Sequence, residues 1–192
     1  MRSFNRPDRR EKRPPKPLDK ARLGDLALAY VARFATSAAK LEIYLKRKLR
    51  ERGWEGESEP DLAAMVERYV ELGYLDDESY ARAKSGGLLR RGYGQRRVDQ
   101  ALGAAGISED IREAVKAGEG ERRAAALSLA KRRRFGPFGE IAQDRAVREK
   151  QISAMLRAGH ALDSVRKLVN AASVGEAEEW VAEAMEEEGP HA

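Results

Sequence analysis

Residues 73–81 read Gly-Tyr-Leu-Asp-Asp-Glu-Ser-Tyr-Ala, and this stretch decides the fold because it ends one helix and begins another. Upstream of it, apolar residues recur at helical spacing, namely Met65, Val66, Tyr69, Val70 and Leu72. Gly73 stands where a helix C-terminal cap is expected, and Asp76 or Asp77 can cap the helix that follows. The two apolar residues between these positions can anchor both helices. Such a joint predicts that one helical unit connects directly to the next.

The composition excludes several classes of protein. The 192 residues contain no cysteine and only two histidines, His160 and His191, so disulfides, thiolate metal sites and cysteine nucleophiles are excluded. Charged residues make up 36% of the chain and its net charge is +5, which indicates a heavily solvated, mildly basic surface. No stretch approaches the roughly 20 apolar residues that span a bilayer, and the N-terminus has no apolar signal core. We therefore expect a cytoplasmic protein.

The residue types favour helices. β-Branched residues are scarce, with ten valines, five isoleucines and one threonine, whereas alanine, leucine, glutamate, arginine and lysine dominate. Residues 1–18 differ, since they hold four of the seven prolines and seven Lys or Arg against Asp8 and Glu11. We expect them to form a disordered basic arm, which either attracts nucleic acid loosely or only aids solubility. The remainder is predicted to be all-α.

A pattern of three helices recurs along the chain. In its first copy, one helix is expected over about residues 19–34, a second follows a cap at Thr36 or Ser37, and Pro60 opens a third at a position where its missing N–H costs nothing. The copies align by spacing. Ser37 and Leu41 match Gly94 and Val98, and the middle helices end in the equivalent pairs Leu49–Gly53, Leu102–Gly106 and Met155–Gly159.

We therefore predict three tandem three-helix repeats, each of which needs a neighbour to complete its core. They span residues 19–76, 77–118 and 119–172 and form an elongated, curved helical array. Residues 173–192 form an acidic C-terminal helix and tail. The apolar residues of this helix share one face, so we expect it to cap the last repeat; the alternative is an autoinhibitory helix whose acidic face competes for basic residues elsewhere.

Cations gather where the first helix of each repeat ends, beside an aromatic residue. The segments are Arg33-Phe34, Arg90-Arg91-Gly92-Tyr93 and Lys131-Arg132-Arg133-Arg134-Phe135. Because cations complement the dipole at a helix C-terminus, each can be purely structural. Stacked repeats would nevertheless align them as a positive stripe suited to a phosphate backbone or an acidic groove. The candidate binding residues, two of them from the following helix, are Arg90, Arg91, Arg96, Arg97, Lys131, Arg132, Arg133 and Arg134.

Catalytic groups are not indicated by the sequence. Helix capping accounts for the carboxylates of Asp76 and Asp77, and His160 has no second metal-ligand candidate except His191. Gly92-Tyr93-Gly94 is not a phosphate loop, because no strand precedes it and no Gly-Lys-Ser/Thr follows. Gly86-Gly87 inside a helix can allow close helix packing, although each costs about 1 kcal/mol relative to alanine. We expect neither an enzyme nor a bound metal or cofactor.

The sequence resembles the RecX family, which comprises bacterial regulators of the RecA recombinase. The residues that carry the resemblance are Gly73, Tyr74, Leu75, Asp76, Asp77, Tyr80 and Ala81, then Gly92, Tyr93, Gly94, Val98, Leu102, Gly106, Ile107 and Ser108. Ser37, Leu41 and Leu45 are similar to the family's first-repeat motif. The resemblance covers about residues 20–172 and is most specific in the second repeat. The longer middle helix of the first repeat, Met155 and His160 depart from the family pattern.

The resemblance implies a function. Members of this family are tandem three-helix-repeat proteins that bind along the groove of the RecA–DNA filament. They modulate its ATPase, strand-exchange and coprotease activities, mostly by inhibition, and so restrain recombination and the SOS response. The implied partners are the RecA filament and, more weakly, single- and double-stranded DNA, with no membrane and no small-molecule substrate. Two alternatives stay open: a helical DNA- or RNA-binding protein without a recombinase partner, and a helical-repeat adaptor for an unrelated protein.

Overall fold

The computed structural model describes residues 16–139 and 144–189, and these residues are predominantly α-helical. Within these ranges the chain forms ten α-helices and one short 3₁₀ helix, and its only β-type pairing is an isolated bridge between Leu18 and Trp54. No helix in the described ranges combines the length and the apolar character that crossing a bilayer requires. The prediction of an all-α fold is therefore confirmed. Residues 1–15 of the predicted basic arm, and His191, lie outside the described residues.

The first unit consists of α1 (Lys20–Arg33), α2 (Ala38–Arg52) and α3 (Leu62–Glu71). Of the two candidate caps for α2, Ser37 is the one used, because its hydroxyl accepts a hydrogen bond from the backbone N–H of Lys40. Asp61 caps α3 in the same manner. The expectation that Pro60 opens this helix is thus wrong, since Pro60 precedes the capping residue.

Two further units follow in chain order. The second contains α4 (Asp77–Arg90), α5 (Gln95–Gly103) and α6 (Glu109–Ala114). The third contains α7 (Glu119–Arg133), the 3₁₀ helix Gly136–Phe138, α8 (Arg145–Arg157) and α9 (Leu162–Asn170). Each unit has a buried apolar cluster, and Ala125 of α7 belongs to the cluster of the second unit, so the second and third units share a core. The fold is the predicted series of three tandem three-helix repeats.

Neighbouring units join through their middle helices, and both joints use equivalent residues. At the first joint, the Ser37 hydroxyl at the start of α2 donates to the carbonyl oxygen of Ala105 just beyond α5, at 2.5 Å. At the second, the Gly94 N–H before α5 donates to the carbonyl oxygen of Ala158 just beyond α8, at 2.9 Å. Carbonyls at a helix C-terminus lack partners within the helix, so each unit satisfies the orphan carbonyl of the next.

The end of α2 receives a comparable contact from the chain that precedes α1. The N–H of Leu18 donates to the carbonyl oxygen of Gly53 at 3.0 Å, and Leu18 in turn accepts from the N–H of Glu55 at 2.8 Å. The Leu18 side chain is completely buried in the first core. Assigning Leu18 to the disordered arm is therefore wrong, because this residue fills the position that a preceding unit would occupy.

The stretch at residues 73–81 fastens the first two units together. Leu75 is buried in the first core, while the carboxylate of Asp76 caps α4 by accepting from the Ser79 N–H at 2.8 Å. The next carboxylate, that of Asp77, accepts from the N–H of Ala38 in the first turn of α2 at 2.9 Å. The Tyr80 hydroxyl accepts from the ammonium group of Lys40 on the same helix, also at 2.9 Å. Interactions of four residues within this stretch thus cross or close the joint.

The tenth helix, α10 (Val174–Glu188), packs on α7. Its apolar face buries Ala177, Val181 and Ala184. At its end, the carboxylate of Glu188 accepts from the N–H groups of Glu119 and Gly120, where α7 has no side-chain cap of its own. The expectation of a terminal helix that packs on the last repeat is confirmed.

Candidate functional site

All eight candidate cations are exposed, and they surround the joint between the second and third units. Arg90 and Arg91 lie at the end of α4, and the run Lys131–Arg134 lies at the end of α7. These two helix ends touch, because the guanidinium of Arg132 donates to the carbonyl oxygen of Arg91 at 2.7 Å. We call the eight cations, with the helix ends that carry them, the basic joint.

The start of α5 brings Arg96 and Arg97 to the same place. Gly94 contacts the backbone of Gly159 so closely that a Cβ atom at position 94 would collide with the Gly159 carbonyl group. The N–H of Arg96 donates to the same carbonyl oxygen at 3.2 Å. Glycine at position 94 is therefore required by the approach of two backbones, which sets the position of both arginines relative to the third unit.

The charges of the basic joint are largely uncompensated. Within the described part of the chain, Lys131 is the only one of the eight cations in an ion pair, and it contacts Glu178 of α10 at 2.6 Å. Both side chains of this pair are about half exposed, so the pair itself adds little stability. The seven arginines instead point their charge to solvent or to carbonyl oxygens. An array of this kind produces a positive potential that attracts phosphates or acidic protein surfaces.

Gly86 and Gly87 on α4 are covered by the arginines that follow them. A Cβ atom at Gly86 would lie 3.0 Å from Nη1 of Arg90, and one at Gly87 would lie 3.7 Å from Nη2 of Arg91. The Nε–H of Arg91 also donates to the carbonyl oxygen of Gly87 at 3.0 Å. No other helix lies within 4 Å of these added atoms, so the close helix packing expected at the two glycines is not observed.

Arg134 adopts a backbone conformation that arginine rarely takes. It ends α7 with a φ of 55°, and it is the only residue other than glycine with a positive φ in residues 16–139 and 144–189. The left-handed region costs a residue with a Cβ atom roughly 1–2 kcal/mol, and helix ends of this type usually carry glycine. The chain therefore keeps a guanidinium group here at a cost in stability.

His160 closes the joint from the third unit, where its imidazole contacts the backbone of the second unit. Its Nε2 lies 3.0 Å from the carbonyl oxygen of Gly92, so this nitrogen carries the proton and donates. Burial lowers the pKa of the imidazole below its ordinary value, against the opposing effect of the hydrogen bond to Gly92. In the described ranges no three His, Asp or Glu side chains are grouped so as to hold a metal ion.

Two features of the site are not apparent from the basic runs alone. Arg157, in the last turn of α8, adds an exposed cation beside the Ala158 carbonyl group that binds Gly94. Tyr93, already named beside the basic run and lying between Arg91 and Arg96 in the chain, leaves 36% of its surface accessible. The alignment of Gly106 with Gly159 could have indicated Arg157, because it places the last turn of α8 against the start of α5.

The carboxylates of Asp76 and Asp77 are used structurally. Hydrogen bonds from the side chain and then the backbone of Ser79 lower the pKa of Asp76 below its ordinary value. Asp77 is bound to the start of α2. The capping interpretation of Asp76 is confirmed, whereas Asp77 serves the neighbouring helix.

Comparison with known proteins identifies relatives for nearly the whole chain. The family model described as RecX, second three-helix domain, matches residues 76–115, which span α4 to α6. The regulatory protein RecX of Myxococcus xanthus is 28% identical over 176 residues, covering 85% of this chain and 94% of the relative. That of Stenotrophomonas maltophilia is 37% identical over 124 residues, covering 64% of this chain and 72% of the relative.

A solved structure has the same fold. The crystal structure of RecX from Lactobacillus salivarius matches with a TM-score of 0.62 and 16% identity, covering 79% of this chain and 95% of that one. The relatives are named regulatory proteins, a role without catalysis, which agrees with the expectation that the chain is not an enzyme. From the fold, the residues of the second unit and these relatives, the chain belongs to the RecX family.

Proposed function

We propose that this protein binds the RecA–DNA filament through the basic joint. We further propose that it inhibits the ATPase, strand-exchange and coprotease activities of RecA, and thereby restrains recombination and the SOS response. The observation that carries the proposal is the set of seven exposed arginines around one joint, none in an ion pair within the described residues. A filament of protein on DNA presents phosphates and acidic grooves, which are the complementary surfaces.

The tandem repeats support this mode of binding. Each joint holds its two units through backbone and side-chain hydrogen bonds, so the charges of the second and third units keep a fixed spacing. Cations held on rigid elements bind an extended anionic surface with little loss of conformational entropy. A regulator built in this way can contact several positions along a filament at once.

The test is the single-stranded-DNA-dependent ATPase rate of the host's RecA, titrated with this protein. A fall at substoichiometric ratios is expected, because one molecule in the groove affects several RecA subunits. Reversal of Arg90, Arg91, Arg96 and Arg97 to Glu should abolish the fall while circular dichroism shows unchanged helicity.

A charge-matched control separates the basic joint from a general effect of net charge. Lys20, Arg50, Arg145 and Arg166 are exposed, form no ion pair with a described residue, and lie outside the joint. Reversing these four should leave inhibition intact. Equal loss in both quadruple variants, or no loss in the first, contradicts the proposal. DNA binding without any effect on RecA would identify a plain nucleic-acid-binding protein instead.

A further inference from the structure

A groove lies at the joint between the first and second units, apart from the basic joint. It has a volume of about 540 Å³ and is formed by the end of α1, the start of α2 and the first half of α4. Its lining includes Phe34, Thr36, Lys40, Tyr74, Tyr80 and Lys84. This volume lies within the range of sites that hold small ligands or parts of larger ones. The groove shares no lining residue with the basic joint.

Two aromatic rings in the groove are exposed and yet held in place. Phe34 is 52% exposed and Tyr74 is 54% exposed. Behind Phe34 stands Tyr30, with ring centroids 5.3 Å apart, and behind Tyr74 stands Tyr69, at 5.7 Å. Each ring thus packs at a tilt, of 53° for Phe34 and 48° for Tyr74, against a second aromatic residue while about half of its side chain stays exposed. Exposed, preoriented rings of this kind are platforms on which a planar ligand can stack.

The charged groups of the groove are mostly cationic. Lys40 is hydrogen-bonded to the Tyr80 hydroxyl, and Lys84 forms no ion pair with any described residue. The only carboxylate that lines the groove, that of Asp76, already accepts from the N–H and the hydroxyl of Ser79. These hydrogen bonds lower the pKa of Asp76 and keep its carboxylate charged, so two ammonium groups stand against one carboxylate and the groove is net cationic.

One polar side chain in the groove lacks a partner. Thr36 is only 7% exposed and lines the groove, and its hydroxyl oxygen has no hydrogen-bond partner among the described residues. A buried hydroxyl without a partner costs about 1–3 kcal/mol, so native structures rarely contain one unless a ligand or water supplies the bond. The oxygen atom itself is buried, so a ligand in the groove can bond to it only after the Thr36 side chain rotates.

We propose that this groove binds an unpaired base of single-stranded DNA. The base stacks on the exposed rings of Phe34 and Tyr74, and the phosphates on either side of it lie near Lys40 and Lys84. Stacking on aromatic rings beside cations is the general way in which proteins hold single strands without reading their sequence. The inference rests on the proposed function only in taking the filament's DNA as the ligand.

The geometry of α4 relates this groove to the basic joint. Tyr80 and Lys84 lie on the first half of the helix, and Arg90 ends it. At 1.5 Å per residue, Tyr80 and Arg90 are separated by about 15 Å along the axis. One strand of DNA can therefore contact the groove and the arginines at the same time. An acidic peptide would also suit the lysines, but the two large exposed apolar side chains of the groove, Phe34 and Tyr74, are both aromatic, which favours a base.

The experiment measures binding of the full chain, without RecA, to two labelled oligonucleotides of equal length, one of thymidylate and one abasic. Stacking of one base contributes about 1–3 kcal/mol, so wild-type protein should bind the thymidylate strand more tightly by a factor of about 5 to 150. Phe34→Leu and Tyr74→Leu should each remove most of that preference and leave abasic binding unchanged. Lys84→Gln should weaken binding to both strands.

The control is Ile43→Ala, because Ile43 is an exposed apolar residue of α2 that does not line the groove. Its preference for the thymidylate strand should equal that of the wild type, and circular dichroism should show that all variants are folded. Equal binding of both strands by the wild type overturns the proposal. The proposal is also overturned if Phe34→Leu and Tyr74→Leu keep the wild-type preference for the thymidylate strand but no longer inhibit RecA. That result would mean that the groove binds a protein segment.

The two proposals can fail separately. If base preference is absent and the arginine reversal still abolishes inhibition of RecA, the groove proposal is wrong and the proposed function stands. If the rings confer base preference and wild-type protein leaves the RecA ATPase unchanged, the groove proposal stands and the proposed function is wrong.

Discussion

The hydroxyl of Ser37 donates to the carbonyl oxygen of Ala105, and the N–H of Gly94 donates to the carbonyl oxygen of Ala158 at the equivalent place one unit later. The donor changes from a side chain to the backbone, but the orphan carbonyl at the end of the middle helix receives a bond in both cases. Because the same type of hydrogen bond occurs at both joints, each unit is placed on the next in the same way. The charges on successive units are therefore held at a set spacing.

Ser37→Ala should destabilise the protein more than the loss of a simple cap. The hydroxyl caps α2 and also satisfies the Ala105 carbonyl group in a buried position, so the variant loses both bonds. We expect the free energy of unfolding to fall by about 2–3 kcal/mol. The measurement is urea denaturation followed by circular dichroism. Ser108→Ala is the matched control, because the Ser108 hydroxyl caps the exposed start of α6 only, and should cost about 1 kcal/mol.

Gly94→Ala and Gly24→Ala should change stability in opposite directions. A methyl group at position 94 collides with the backbone of Gly159, and neither backbone can move without opening the second joint. Overpacking of this kind costs about 1–3 kcal/mol. A methyl group at Gly24, inside α1, meets no atom within 4 Å and should stabilise the helix by up to about 1 kcal/mol. Thermal unfolding of both variants checks this, and a neutral Gly94→Ala would contradict the role of the joint.

Local signals in the sequence were sufficient to predict the helices and most of their ends. Ser37, Asp76 and Ser108 are capping residues at the start of apolar helical patterns, and all three cap the helices expected of them. The alignment of Ser37 with Gly94 was also correct, because equivalent positions in a repeat have equivalent neighbours. The caps depend on residues within a few positions of one another, and the alignment depends on the same local spacing recurring in each repeat.

Features that depend on distant contacts were not predictable. The basic composition before Leu18 favours disorder, but Leu18 is buried because the end of α2 offers a carbonyl group and an apolar site across the fold. Asp77 looks like a cap of its own helix, yet its partner is 39 residues away. The gathering of Arg91 and Arg132 likewise depends on how α4 meets α7, which no local pattern encodes.

Stability should fall as the pH drops below the ordinary pKa of histidine, about 6.5. Burial lowers the pKa of His160 in the folded protein, so between that lowered value and about 6.5 the unfolded chain binds a proton that the folded chain does not. Unfolding is therefore favoured progressively on acidification. His160→Gln keeps an N–H donor for the Gly92 carbonyl group and does not titrate. Urea denaturation at pH 7.5 and pH 5.5 should show a larger loss for the wild type, and equal losses would refute the assignment.

Arg134→Gly should make the protein more stable and weaken its binding to DNA. Glycine relieves the left-handed conformation at the end of α7, for a gain of about 1 kcal/mol in the free energy of unfolding. The same change removes one cation of the basic joint. The plot of log binding constant against log salt concentration should therefore become less steep by the amount expected for about one phosphate contact. Arg133→Gly, in the helical last turn of α7, removes a charge without relieving strain and should destabilise. Tighter DNA binding by Arg134→Gly would count against a binding role for this arginine.

Glu178→Gln decides between the two functions considered for the acidic helix. Glu178 holds Lys131 at the edge of the basic joint, whereas the buried face of α10 and the contact of Glu188 with α7 do not involve it. If α10 only caps the last repeat, the variant should be as stable as the wild type within about 0.5 kcal/mol and should bind DNA with the same affinity. If its acidic face competes with DNA, release of Lys131 should tighten binding by about two- to threefold, which corresponds to an exposed ion pair.

Glu179→Gln removes the same charge from a neighbouring position that pairs with no described cation, so it measures the effect of net charge alone. Because the seven arginines of the basic joint are already free of α10, we expect capping and an unchanged affinity in fluorescence anisotropy; a rise in affinity for Glu178→Gln alone would establish competition.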